Sequence, residues 1–310
     1  MISRRIPSAI AERLALPVIA APMLRVSGPD LVVAACNEGV IGAFPTKNAR
    51  STEELDAWLT GIRGRMVPNA APFCPNLIMR DARLDADLAC LVRHRCEVVI
   101  TSVGSPVRAV EALHDIGCLV FADIASLHHA ARALEANVDG LILLTAGAGG
   151  QTGWLNPFAF VRAVRAMTDR IIVLAGGISD GHALRAAMTL GCDLAYMGTK
   201  FIATKESMAS DAYRTMLAAS TMDDVMLTSA FTGLPANMLT PSIRAAGLDP
   251  ERLDETISAE RARGAFGGGA SGPRRWADIW SAGHSVSGVT EALSVASLVA
   301  RTKDEFSYQD

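Results

Sequence analysis

The chain has 310 residues, half of them hydrophobic, and carries 29 basic against 32 acidic side chains for a net charge of −3. That balance, without a long run of either sign, excludes a nucleic-acid groove and a polybasic membrane patch. The length suits two domains of about 150 residues or one barrel of about 250 with additions, and a mean hydropathy of +0.26 provides for a large core.

Three features narrow the class further. Residues 140–161 form a charge-free stretch, but five glycines, Gln151, Asn156 and Pro157 within it prevent one uninterrupted membrane-spanning helix. The N-terminal stretch MISRRIPSAIAERLALP is basic, yet it has no long apolar region and contains Glu12, which argues against a signal peptide. Cys36, Cys74, Cys90, Cys96, Cys118 and Cys192 form no CxxC pair and sit in apolar segments. They read as reduced core cysteines of a cytoplasmic protein.

Taken in order, eight short apolar runs punctuate the first 200 residues: 16–23 (LPVIAAPM), 40–45 (VIGAFP), 70–79, 98–103 (VVITSV), 118–124, 140–145 (GLILLT), 171–175 (IIVLA) and 192–197 (CDLAYM). They are continuous rather than alternating, as strands buried on both faces should be. Amphipathic stretches at 52–62, 107–114, 127–136, 157–167 and 181–190 lie between them. A repeat of about 20 to 30 residues is the size of a β/α unit, so the pattern predicts a (β/α)8 TIM barrel. A three-layer Rossmann-like sheet would need GxGxxG after an early strand, where the chain instead has Pro22-Met23-Leu24-Arg25. A helix is expected near 205–219 and a last one near 289–301. Between them a mainly helical tail with a glycine-rich loop at 264–272 reads as a cap. The expected division is a barrel of residues 1–220 plus 285–303, covered by a cap of residues 221–284.

Barrel sites form at the C-terminal ends of strands, and the loops after the last two strands commonly bind phosphate. Run seven ends in LAGGISDG (174–181) and run eight in MGTKF (197–201). Their glycines allow backbone N–H groups to converge on an anion at a helix start, although tight turns without a ligand would use the same residues. The loop after run six, AGAGGQTGW (146–154), brings backbone close to a flat or bulky group and presents the neutral amide of Gln151; a plain surface loop is the alternative. Ala20-Ala21-Pro22-Met23 makes a wall for a planar ring, and Asn76 offers donors and acceptors to a heterocycle edge. No metal site is expected: none of the six histidines forms HxH or HxxxH, and no Cys/His cluster has zinc spacing. His128 and His129 point to different faces of one helix. No GxSxG elbow supports a serine hydrolase.

The ordered set APM, NL, AGAGGQTG, AGGISDG and MGTKFIAT resembles the FMN-dependent nitronate monooxygenase (2-nitropropane dioxygenase) family, over about residues 15 to 220. That family includes FMN-dependent enoyl-thioester reductases and NAD(P)H:quinone reductases. A weaker match recurs at WSAGH (280–284). The resemblance implies a barrel with a C-terminal cap and FMN as cofactor. It places Gly176, Gly177, Gly198 and Thr199 at the FMN phosphate. Ala21, Pro22, Met23, Asn76, Gly150, Gln151 and Ala175 complete the cofactor site. Two departures stand out. Relatives that oxidise neutral nitroalkanes carry His at the position of Gln151, and an amide cannot remove a proton. Asp123 stands where some relatives place Lys near the flavin; it either faces the flavin or caps the following helix.

The expected function is an FMN-dependent oxidoreductase that oxidises alkyl nitronates with O2, with Gln151 polarising the substrate. The alternative is NAD(P)H-dependent reduction of enoyl thioesters or quinones. A thioester arm would prefer basic rim residues such as Arg25, Lys47 and Lys200. A third reading is a catalytically idle flavin-binding protein. A flavin-free phosphate barrel with a covalent Cys is disfavoured, since residues 145–154 contain no thiol. The expected partner is a small molecule, with no nucleic acid or membrane; a homo-oligomer is left open.

Overall fold

The computed structural model describes residues 2–267 and 272–307, so part of the glycine-rich loop at 264–272 lies outside the described residues. Each predicted run contains one strand: β1 (Val18–Ala20), β2 (Ile41–Pro45), β3 (Phe73–Ile78), β4 (Val98–Ser102), β5 (Leu119–Ile124) and β6 (Gly140–Leu144). After β7 (Gly150–Gln151), which stands outside the barrel, come β8 (Ile171–Ala175) and β9 (Leu194–Met197). The eight barrel strands are all parallel and close when β1 pairs with β9, Ile19 opposite Tyr196. The architecture is the predicted TIM barrel.

Period-two alternation divides the apolar residues of each strand between two cores. Ile19, Ile41, Cys74, Ile100, Phe121, Ile142 and Val173 fill the barrel, joined from below by Ile6, Ile10 and Leu14 of the N-terminal segment. Their neighbours Val99, Val120, Leu141 and Ile172 face outward to the surrounding helices. Thr52–Arg65 shows the helical counterpart, burying Leu55, Leu59 and Ile62 at i, i+4 and i+7. Helices Val107–His114, Pro157–Met167 and Gly181–Leu190 occupy the predicted amphipathic stretches. Ser51, Asn156 and Asp180 start their helices by accepting first-turn N–H groups.

Two helix positions differ from expectation. The helix expected near 205–219 begins only at Asp211 (Asp211–Ala219), where the Ser210 hydroxyl accepts the Tyr213 N–H at 3.2 Å. The last helix is Val295–Ser307, not 289–301, because the Glu206 carboxylate accepts the Val295 N–H at 3.0 Å. Beyond residue 220 the chain also contains two strands the sequence pattern did not mark. β10 (Val225–Thr228) and β11 (Ala236–Leu239) run antiparallel, and β11 pairs with β7, Ala236 opposite Gln151. Helices Thr240–Ala245 and Ala259–Phe266 follow. Among the described residues no helix is long and apolar enough to cross a membrane.

At the base of the barrel, buried Asp193 accepts from the Ile172 N–H at 2.8 Å, from Arg165 at 2.5 Å and from the Ser3 hydroxyl at 2.5 Å. It ties the N-terminal segment, β8 and helix Pro157–Met167 to β9. Removing one member of a buried ion pair leaves the other charge unpaired in low dielectric. Asp193→Ala should therefore cost about 3–5 kcal/mol in urea unfolding.

Candidate active site

The mouth of the barrel is shaped by the loops that follow β8, β9, β1 and β6. After Ala175, Gly176 and Gly177 adopt left-handed backbone at φ +119° and +75°, which only glycine reaches without strain. A Cβ on Gly176 would lie 2.6 Å from Thr145 Oγ1, so this residue packs tightly on the β6 loop. A Cβ on Gly177 would meet nothing within 4 Å. Its backbone is therefore open on the side that a side chain would otherwise cover. Gly198 begins the short helix Thr199–Ile202, whose leading N–H groups lack intrahelical acceptors. A Cβ there would touch only Ala21 Cβ and Met23 Sδ, each at 3.6 Å. The structure thus brings the β9 loop against Ala21 and Met23 of the first strand's wall.

That wall is held by residues the sequence analysis did not single out. Ser27 Oγ accepts the Met23 N–H at 3.0 Å and donates to Ala21 O at 3.2 Å. Asn48 donates to Met23 O and Ser27 O at 2.9 and 2.8 Å, and accepts from the Arg25 N–H at 2.8 Å. Pro22 is half-buried between them.

The last inward residues of the barrel strands form a floor beneath the mouth: Asn76 on β3, Ser102 on β4, Asp123 on β5, Leu144 on β6, Ala175 on β8 and Tyr196 on β9. The Ser102 hydroxyl donates to Asn76 Oδ1 at 2.8 Å, which fixes the amide's orientation and leaves both of its N–H groups and one acceptor lone pair to present. Asp123 is not a helix cap: Ser126 caps helix Leu127–Glu135, accepting the His129 N–H at 3.1 Å. Asp123 Oδ1 is enclosed and without a hydrogen-bond partner. Burial alone pushes the carboxyl up to about 7.

Gln151 and Gly150 form β7, and both are half-buried. The segment at 281–284 closes on their loop from above. The His284 N–H donates to Gly147 O at 2.9 Å, and the Gly283 N–H donates to Thr199 Oγ1 at 2.9 Å. Asn237 on β11 adds a bond of 2.7 Å to Ala148 O. Gly149 and Gly283 meet backbone to backbone, since a Cβ on Gly149 would lie 2.7 Å from Gly283 N. Trp280 stacks on Tyr213 at 4.8 Å, whose hydroxyl donates to Ser281 O at 2.5 Å. WSAGH is thus a wedge that joins the β6 and β9 loops. Thr199 spends its acceptor on that wedge.

Other singled-out residues lie elsewhere. Lys200 Nζ donates to Gly288 O, and Lys47 pairs with Asp81 at 2.8 Å. Both are engaged rather than free at the rim. Arg25 is exposed. His129 Nδ1 accepts the Ala125 N–H at 3.3 Å, and His128 is exposed. Asp56, Cys90 and His94 come together away from the mouth, an i, i+4 Cys/His spacing that the search for HxH and HxxxH passed over. Asp56 Oδ1 is already shared by His94 Nε2 at 3.0 Å and Arg93 at 3.3 Å. Burial pushes the Cys90 thiol up to about 11. These groups satisfy one another between two helices.

Comparison with known proteins identifies the family and the fold. The family model described as nitronate monooxygenase matches residues 77–302. The chain belongs to the nitronate monooxygenase family. It is accordingly an enzyme of the oxidoreductase type. It is similar to a nitronate monooxygenase of Paraburkholderia phytofirmans, 26% identical over 93% of this chain and 92% of that one. It is similar also to a carboxyl-CoA dehydrogenase of Mycobacterium tuberculosis, 26% identical over 80% of this chain and 67% of that one. The fold matches FabK from Thermotoga maritima with a TM-score of 0.81 at 23% identity, covering 99% and 96% of the two chains.

Two measurements check the site in this family member. Gly283→Ala would place a methyl 2.5 Å from Gly147 O and 2.8 Å from Gly149 N. Backbone cannot yield as a flexible side chain does, so stability should fall by about 1–3 kcal/mol in thermal melts. The raised Asp123 carboxyl has a worked sign as well. Stability from the neutral form is fully present below the ordinary carboxyl range and is lost as pH rises through about 7. Asp123→Asn should therefore stabilise the ligand-free protein at pH 8 by on the order of 3 kcal/mol and change little at pH 4. Urea midpoints at the two pH values decide it.

Proposed function

We propose that this protein is an FMN-dependent oxidoreductase that oxidises alkyl nitronates. The observation that carries the reading is the open backbone at Gly177, in the loop after β8, and at Gly198, after the neighbouring strand β9, where neither position has a neighbour closer than 3.6 Å to a would-be Cβ. Such a cradle fits one phosphate, and the wall of Ala21, Pro22 and Met23 beside it fits a planar ring. Gly176, Gly177, Gly198 and Thr199 would hold the FMN phosphate. Ala21, Pro22, Met23, Asn76, Gly150, Gln151 and Ala175 would flank the ring, with residues 221–284 covering a barrel of residues 1–220 and 285–303.

When bound, the flavin supplies the electron acceptor that the protein's own side chains lack, and O2 completes the oxidation. The chain's residues bind and orient. Asn76, its amide oriented by Ser102, offers N–H to a ring carbonyl or nitrogen. The Gln151 amide donates to a nitronate oxygen, whose charge distribution changes as electrons leave. An amide removes no proton, so in this reading Gln151 binds a substrate that arrives already anionic. The thioester reading, suggested by the CoA-ester relative, would use cations at the rim, but Lys47 and Lys200 are engaged elsewhere. NAD(P)H remains an alternative electron donor in that reading.

Acid release from the purified protein should yield FMN; FAD, or no flavin after reconstitution, would contradict the proposal. Gly198→Asp should fold, since a Cβ is tolerated there, and lose flavin because an anion then occupies the phosphate position. Gln151→Ala should retain flavin and lower turnover about ten- to a hundredfold, the worth of one charge-assisted hydrogen bond. Neutral nitroethane should be oxidised far more slowly than ethylnitronate. Anaerobic bleaching of the flavin by nitronate, NADH and NADPH in turn identifies the donor and exposes an idle protein.

A further inference from the structure

Asp123 is a half-buried carboxyl with one oxygen sealed off. It stands at the last inward position of β5, in the same floor layer as Asn76 and Ala175, the residues assigned to the flavin. Its Oδ1 is enclosed and accepts no hydrogen bond. Buried carboxylates are ordinarily paired with a cation or saturated by N–H donors. The titratable side chains that face it are Tyr196 from β9 and Cys74 from β3. Burial holds both well above their ordinary values, so both stay neutral across the physiological range. Among the described residues no cation bears on Asp123.

We propose that Asp123 is a redox-linked proton site: when the flavin in this mouth accepts two electrons, the Asp123 carboxylate takes up one proton from solvent. The proposal rests on the FMN reading above. The argument is electrostatic. An oxidised flavin ring is neutral, whereas the two-electron-reduced ring is anionic near neutral pH. A new negative charge in an enclosed mouth opposes a second one nearby, and the opposition is relieved when the carboxylate binds a proton. Two electrons from the nitronate or NAD(P)H would enter the ring with one proton, leaving it singly negative, and a second proton, from water, would go to Asp123; two electrons and two protons leave the net charge of the site unchanged without a protein cation. The reaction thereby gains, through a proton, the neutralisation that a lysine would provide through a fixed charge.

The pH dependence has a definite sign. Below about pH 7 Asp123 already carries its proton, and reduction changes nothing there. Above about pH 7 the carboxylate is ionised in the oxidised protein, and reduction must recruit a proton to it. The test is the two-electron midpoint potential of the FMN-loaded protein against pH, for wild type and Asp123→Asn. Above pH 7 the wild-type slope should correspond to one more proton per two electrons than the variant slope; below pH 6 the slopes should coincide. A second measurement needs no variant. Infrared difference spectra of the wild type at pH 8 should show a protonated-carboxyl C=O band appearing on reduction, and at pH 5 they should not. Flavin-loaded protein with equal slopes, or without that band at pH 8, overturns the proposal and leaves the FMN reading standing. A protein that takes up no FMN overturns both.

Discussion

The pairing of β1 with β9 governs everything above it. Three residues, Val18, Ile19 and Ala20, face Ala195, Tyr196 and Met197 and turn a sheet into a cylinder. Closure leaves no strand edge to protect. Because each barrel strand reaches the next through a crossover, all eight run in one direction and every C-terminal loop opens at the same end. The strand alternation then has nowhere to send half the side chains except inward. Below, those side chains are Ile, Val and Phe; at the last layer the cylinder meets the mouth, and polar residues appear there. Asn76, Ser102, Asp123 and Tyr196 are the point where the requirements of packing give way to those of chemistry.

The glycine loops after β8 and β9 offer open backbone at the mouth, and the lysines in the loops after β2 and β9 are turned to Asp81 and Gly288. Asn76 and Gln151 contribute amides, which polarise without moving protons. Among the inward residues of the floor layer Asp123 is the acidic one. A carboxyl in a solvated cleft would be permanently ionised, whereas burial around its enclosed oxygen pushes Asp123 up to about 7.

Much of this was legible in the residues, for identifiable reasons. Barrel strands are buried on both faces, so IIVLA and GLILLT announce themselves as unbroken apolar runs, and Ser51, Asn156 and Asp180 mark helix starts by local capping chemistry. The glycine pair at 176–177 stands out because only glycine allows that backbone without strain, and Gly198 stands out by its place at the head of a helix that follows the last strand. Three things were not legible. The strand pair at 225–228 and 236–239 is too short for a periodic signal. The approach of Gly283 to Gly149 joins residues 134 positions apart, and a backbone contact leaves no pattern in the intervening chain. The orientation of Asp123 was ambiguous, although its parity with Phe121 and the presence of Ser126 three residues before His129 together point inward.

The wedge at 281–284 has a consequence in time rather than in space. A chain emerging from the ribosome has delivered all eight barrel strands once Met197 is out, and local β/α units can begin to pair at once. The residues that bolt the β6 loop to Thr199 are synthesised some eighty positions later. The barrel's strands are thus an early product of translation, while its last helix, Val295–Ser307, packed on Gly181–Leu190, and the fastened mouth are late ones. A chain interrupted before Gly283 would own all eight strands and a β6 loop still unfastened.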